Sequence, residues 1–247
     1  MIKKTLKSIF DSLGYHIINK TLLGNDLDDD LVAITDTSRK LVIFDIGANF
    51  GQAALELASH FQNSTIYSFE PHLETYADLV EKTKKHKNIK TYSLGFGDKS
   101  DKMELNISKS TDGNSLLPLS ETVNQYAHGG GWAEKVGTST VEITTMDLFC
   151  QENKIDRIDI LKIDTQGYEL KVIEGGVKVI RPEITKAIVV EVVFVEFYKQ
   201  QAYFSDIFKV LTERGYKLLG FYHKVYNPSK PNYLQWCDAV FVCNDSK

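Results

Sequence analysis

The sequence predicts an α/β domain with a mostly parallel sheet covered by helices on both faces. Short apolar runs alternate with helix-period stretches from Leu41 to Lys85, the pattern of strand–helix–strand units. The first run passes into a turn bearing Gly47 and Gly51, and such strand-to-helix corners are where open α/β sheets hold ligands. A later apolar run, Ile158–Ile163, ends abruptly in Asp164-Thr165-Gln166. At 247 residues the chain supports one large core. The expected organisation is a helical extension over residues 1–36 followed by one domain over 37–247.

Taken in order, Leu41–Ile46 reads as a buried strand and Gln52–His60, with Ala53, Leu55, Leu57 and Ala58, as a helix. Thr65–Phe69 is a second strand, stopped by Glu70-Pro71, and Leu73–Lys85 a second helix. Lys90–Leu94 gives a third strand leading into Gly95-Phe96-Gly97-Asp98. From Asp98 to Gly137 the regularity fails. Met103–Ile107 reads as an added strand, Ser108–Ser115 is rich in turn residues, and His128-Gly129-Gly130-Gly131-Trp132 reads as loop. The pattern resumes with a strand at Val141–Thr145, a helix at Met146–Asn153, the strand Ile158–Ile163 and a helix from about Tyr168. Ala187–Val193 is another buried strand. A helix near Tyr203–Arg214, closed by Gly215, precedes two strands at Tyr216–Tyr222 and Ala239–Cys243.

Composition narrows the function classes. The formal net charge of −4 provides no basic field for a nucleic-acid partner. Cys150, Cys237 and Cys243 form no CxxC pair, so buried reduced thiols in a cytoplasmic protein are expected rather than a disulfide frame or a metal site. No apolar run approaches the ~18 residues of a membrane span. Ile2, Leu6, Ile9, Phe10 and Leu13 recur at helical spacing beside Lys3, Lys4 and Lys7. That helix either packs on its own domain or makes peripheral membrane contact through residues 1–20. The acidic run Asp26–Asp30 lacks EF-hand spacing and reads as solvated, and His72 and His223 as isolated surface or satisfied side chains.

The segment Asp45-Ile46-Gly47-Ala48-Asn49-Phe50-Gly51 is the most informative. Its glycines permit close backbone approach and unusual φ angles. Glu70 stands at the tip of the next strand, placed to accept hydrogen bonds from two ribose hydroxyls. The G-x-G-x-x-G fingerprint that brings backbone to a pyrophosphate is absent, and no Walker lysine follows. S-adenosylmethionine has no phosphate. Asp45 suits its cationic end and the loop amides its carboxylate. The alternative is a tight turn in an unrelated α/β domain, with Glu70 capping the helix after Pro71.

These residues, with Phe69-Glu70-Pro71, Leu161-Lys162-Ile163-Asp164-Thr165-Gln166-Gly167-Tyr168-Glu169 and Glu174-Gly175-Gly176, resemble the FkbM-type methyltransferases in the right order from about Leu41 to Val193. The resemblance implies a Rossmann-like class I methyltransferase fold, a seven-stranded sheet ending in an antiparallel hairpin, with S-adenosylmethionine as cofactor. It implies cofactor contacts from the Asp45–Gly51 turn (Gly47, Ala48, Asn49 and Gly51 included), from Glu70 with Pro71 beside it, and from Gly97 and Asp98 near the adenine. The acceptor it implies is a hydroxyl of a sugar, glycan or related natural product.

A hydroxyl acceptor needs its proton taken as the new bond forms. The place to look is the end of the strand carrying Lys162, Asp164, Gln166 and Glu169, where ionisable groups beside apolar ones need pairing or a wetted cleft. Asp164 is the preferred base or acceptor-positioning residue, against a structural pairing with Lys162. Gln166 stands where the family often has glutamate, and an amide there hydrogen-bonds rather than takes a proton. Glu169 reads as a salt-bridge partner. Glu191, with Glu196, either binds a polyol or metal or is a sheet-edge charge. Trp132, Phe194, Phe197 and Tyr198 suit sugar faces or plain packing. The rival function is a cofactor-binding module without turnover; an NAD-dependent oxidoreductase is disfavoured by the missing fingerprint.

Overall fold

The computed structural model describes Ser12 and residues 23–126, 134–228 and 231–243. Two sheets form. The larger contains β1 (Leu41–Ile46), β2 (Ser64–Phe69), β3 (Ile89–Tyr92), β7 (Ile158–Ile163), β8 (Thr185–Val193), β9 (Lys217–Tyr226) and β10 (Leu234–Val242), in the order β3-β2-β1-β7-β8-β10-β9. The first five in that order run parallel, and β10 inserts antiparallel between β8 and β9. The chain moves outward from β1 to β3 and later returns to β1's other side as β7. That reversal is the topological switch point, where a crevice must open at the strand ends.

Helices α1 (Leu27–Ile34), α2 (Gln52–His60), α3 (Leu73–Thr83), α5 (Met146–Asn153), α6 (Glu169–Glu174) and α7 (Phe204–Glu213) accompany the sheet, and α4 (Val123–Tyr126) is a single turn. Strand alternation sorts the core into two layers. Phe44, Ile46, Phe69, Leu161, Ile188 and Phe241 face one way. Leu41, Ile43, Ile66, Ile160, Val189 and Val240 face the other, against Leu31, Ala54 and Leu57 of α1 and α2. In the first layer Phe69 meets Phe96 edge-on at 4.7 Å and Phe149 at 4.9 Å. The three cysteines are buried.

Several departures from the sequence-based expectations matter for the site. The irregular stretch after Asp98 contains a second sheet: β5 (Asp101–Ser108) and β6 (Lys135–Thr144) pair antiparallel, and β4 (Gly95–Phe96) joins β6. The expected Lys90–Leu94 strand stops at Tyr92, because Gly95-Phe96 leave the main sheet for this smaller one. β9 and β10 each run several residues further into the hairpin than expected. The acidic run is only partly solvated. Asp26 caps α1 by accepting from Asp29 N at 3.0 Å, whereas Asp30 is buried and accepts the Tyr222 hydroxyl at 2.6 Å. The basic segment over residues 1–20 lies, Ser12 apart, outside the described residues, as do His128–Trp132. Among the described residues no helix is long and apolar enough to cross a membrane.

Candidate active site

A cavity of about 640 Å³ opens at the carboxyl ends of β1, β2, β7 and β8, beneath a roof that includes Leu105 of β5 and Ile143 of β6. Its size is that of a small-molecule site. The glycine turn forms its floor. Gly47 has φ +81°, and a Cβ there would stand 1.7 Å from the Asp164 carbonyl oxygen, so only glycine lets β1 and β7 approach at this corner. Asn49 (φ 47°) and Gly51 (φ 86°) are also left-handed, a conformation asparagine tolerates better than most. Three of the turn's amides are already used: Gly47 N and Ala48 N donate to Phe69 O at 3.0 and 2.9 Å, and Gly51 N to Ala48 O at 2.8 Å. Those three are therefore occupied and not open to the ligand carboxylate expected at the loop amides. The turn's contribution is shape.

Glu70 lies on the cavity wall. Its Oε2 accepts from Asn49 N at 3.1 Å and its Oε1 from His72 N at 2.9 Å. Burial raises its pKa to about 7 despite those two amides. Pro71 joins Gly95, Phe96, Ile143 and Tyr168 in an apolar slot beside it. Gly97 packs behind that slot, where a Cβ would lie 3.2 Å from the Tyr168 ring. Asp98 points away and pairs with Lys171 at 2.9 Å. Gly95 and Phe96 line the cavity here, and Gly97 and Asp98 do not.

Asp45 differs from its expected place. On β1 it shares a face with Ile43, turned from the large cavity, and lines neither hollow. It is 0% exposed, and neither carboxylate oxygen has a hydrogen-bond partner among the described residues. Burial raises its pKa to about 6, and the neighbouring Lys162 works against that rise. Lys162, its cross-strand neighbour, lines a smaller hollow of about 300 Å³ on the α1–α2 side. Burial pulls the Lys162 ammonium down, and Asp164, Asp45 and Asp238 together outweigh it and hold the pKa above the ordinary value. The two hollows share Gly47, Asn49, Asp112 and Asp164, and the Asn49 side-chain amide donates to Asp112 at 2.6 Å between them.

At the end of β7, Asp164 Oδ2 accepts from Lys162 Nζ at 2.9 Å, the structural pairing weighed above. Gln166 Nε2 donates to both Asp164 Oδ1 and Glu191 Oε2 at 3.0 Å, and its Oε1 accepts the Tyr198 hydroxyl at 3.1 Å. Gln166 thus hydrogen-bonds as an amide should, but it holds far more than sequence reasoning assigned to it. Glu169 makes no salt bridge among the described residues. It is buried, and its Oε1 accepts from Thr165 N at 2.8 Å and Gly167 N at 3.1 Å, folding the loop around Gln166. Burial raises its pKa to about 7.

Of the acidic pair Glu191, near the end of β8, and Glu196, which follows it, Glu191 reaches the cavity and Glu196 does not. Phe194 packs on Phe204 and Phe221 in the core, while Phe197 and Tyr198 line the cavity. Tyr126, Tyr226 and Trp236 complete this aromatic side and were missed by sequence reasoning. The only signal for the last two was the length of the final hairpin. His72 is satisfied by Thr75 Oγ1 at 2.9 Å and His223 by Asp238 at 2.7 Å.

The sheet order, the reversed last hairpin and a cavity at the switch point together define a Rossmann-like fold of the class I methyltransferase type. Residues 45–218 match the methyltransferase FkbM domain, and the chain belongs to that family. Among curated relatives, the 2-O-methyltransferase NoeI of Sinorhizobium fredii (strain NBRC 101917 / NGR234) is 25% identical over 165 residues, 66% of this chain and 65% of that protein. Methyltransferase 1 of Beauveria bassiana (strain ARSEF 2860) is 25% identical over 142 residues, 54% of this chain and 57% of that one. The chain thus spans less than two thirds of the length of either. Solved structures similar to it include precorrin-6y C5,15-methyltransferase from Geobacter metallireducens GS-15, with TM-score 0.45, 12% identity and coverage of 87% and 86% of the two chains. Another is M. capricolum TrmK in complex with S-adenosyl-homocysteine, with TM-score 0.46, 8% identity and coverage of 88% and 67%.

Proposed function

We propose that the chain is an S-adenosylmethionine-dependent methyltransferase that O-methylates a hydroxyl of a sugar, glycan or related natural product. One observation carries the reading. A single cavity presents a buried carboxylate able to take a ribose diol, Glu70, and, across the glycine turn, the linked polar cluster Asp164–Gln166–Glu191. The residues present fit the cofactor. The slot of Pro71, Phe96, Ile143 and Tyr168 suits an adenine, Glu70 the ribose hydroxyls, and Asp164 rather than Asp45 the ammonium, since Asp164 lines the cavity and Asp45 does not. The bare Gly47 leaves backbone-deep room between them.

Bound there, S-adenosylmethionine supplies an electrophilic methyl on a good leaving group. The protein's own share is alignment, exclusion of water and handling of one proton. Phe197, Tyr198, Trp236 and Tyr126 give the acceptor half flat apolar faces, while Gln166 and Glu191 give it hydrogen-bonding groups. The name 2-O-methyltransferase borne by one relative supports an oxygen acceptor.

Calorimetry with S-adenosylmethionine tests the cofactor half. Glu70→Ala is expected to weaken binding by roughly 1–3 kcal/mol through the loss of two ribose hydrogen bonds; unchanged affinity removes Glu70 from the site. Transfer of labelled methyl from S-adenosylmethionine into pools of hydroxyl-bearing glycosides tests the rest. Tight binding with no product from any acceptor pool favours the module without turnover.

A further inference from the structure

We infer that Glu191, not Asp164, takes the proton of the acceptor hydroxyl, and that Gln166 and Tyr198 are the positioning residues that aim it. The inference rests on the O-methyl reading above and assigns roles within that site.

The two carboxylates differ in what is left free. Asp164 has both oxygens engaged, Oδ2 by the Lys162 ammonium at 2.9 Å and Oδ1 by the Gln166 amide at 3.0 Å. Donors occupy both oxygens, one of them a cation, so neither stands open to an acceptor hydroxyl. Glu191 has one oxygen engaged, Oε2 by the same Gln166 nitrogen at 3.0 Å, and no partner for Oε1 among the described residues. It lies on the cavity wall. One lone-pair-bearing oxygen is therefore available on the acceptor side.

The surroundings point the same way. Facing Glu191 are Asp164 and Lys162 of β7, Glu169 of α6, Asp238 of β10, which is its register partner, and Tyr198 after β8. Burial is the largest influence, the three carboxylates add to it, and Lys162 alone opposes, so the Glu191 carboxyl is held well above the ordinary carboxylate range. A base raised towards the working pH is better suited to general-base catalysis than one at ~4.

Gln166 sets the geometry. Its nitrogen carries two protons, one for each carboxylate, and its oxygen can only accept. The Tyr198 hydroxyl donates to that oxygen at 3.1 Å and so selects the orientation in which the NH2 group faces Asp164 and Glu191. The reverse orientation would press a carbonyl oxygen against two carboxylates. Gln166 itself sits at φ +54°, in a loop gripped by Glu169. In the reaction the hydroxyl oxygen uses a lone pair to bond the methyl carbon, and the carbon–sulfur pair stays on sulfur. The hydroxyl proton passes to Glu191 Oε1.

The direct test is a carboxyl titration of the ligand-free protein labelled with ¹³C-glutamate, the Glu191 signal being identified by its loss in Glu191→Asp. Glu191 is expected to titrate well above the ordinary carboxylate range. Gln166→Met, which removes the donated N–H, should raise that midpoint further, and Tyr198→Phe should raise it by less. A midpoint in the ordinary range, or one that neither variant moves, overturns the inference. With an acceptor in hand, Glu191→Gln should lower kcat at least ~100-fold and abolish the acid limb of its pH profile, with S-adenosylmethionine affinity unchanged. Asp164→Asn should keep the limb. The opposite pattern assigns the proton to Asp164. Failure of the wild-type protein to bind S-adenosylmethionine would sink the functional proposal instead, and the titration would read the same regardless.

Discussion

Glu70 shows how firmly backbone can hold one side chain on a cavity wall. It is 7% exposed, yet both its oxygens are held by backbone amides of residues flanking the crevice. Its pKa, raised by burial to about 7, has a consequence for stability. Because the folded value exceeds the unfolded one, the associated stability is complete below the ordinary carboxylate range and is lost as pH rises towards about 7. Glu169, also raised to about 7, adds in the same sense. Thermal melts of the ligand-free protein should therefore fall between pH 5 and pH 8, and Glu70→Gln should flatten the slope. A Glu70→Gln melt with the full wild-type slope contradicts the assignment. The place of Glu70 on the cavity wall was legible in the sequence because a strand tip before proline has one outlet. Asp45 was not, because its direction depends on which face of β1 the odd positions take, and Ile43 carries it to the α2 side.

Among the elements, the turn from β1 into α2 is where local sequence and tertiary packing meet most tightly. Two glycines and an asparagine at positive φ let the chain reverse, and the Gly47 Cα lies against the backbone of Asp164. Gly47→Ala must displace the end of β7 as well as strain its own φ. A loss of at least ~3 kcal/mol in chemical denaturation is expected, with no measurable S-adenosylmethionine binding. A variant that folds with near wild-type stability and binds the cofactor would show the corner to be more yielding than its geometry. The same turn was readable beforehand because glycine spacing is a local signal. The β4–β6–β5 sheet was not, since its pairing joins Gly95 to Ile143 across a stretch of turn-rich sequence without period. Glu169 misled for a related reason: its partners are amides of its own loop, which look like nothing in the sequence.

For the whole molecule, the fold class and five parallel strands followed from alternation of apolar runs, and the hairpin from the family resemblance. What alternation could not give is which distant residues share a wall. Tyr126, Phe197, Tyr226 and Trp236 come from four separate segments and converge only because β10 inserts between β8 and β9. The aromatic half of the cavity is a product of topology, the polar half of local motifs. The most direct measurement is a crystal structure of the protein with S-adenosylmethionine. The account predicts the ligand in the large cavity, its adenine between Pro71 and Tyr168, its ribose hydroxyls on Glu70 and its methyl facing Glu191. A ligand bound elsewhere, or that cavity left without it at saturating concentration, contradicts the account.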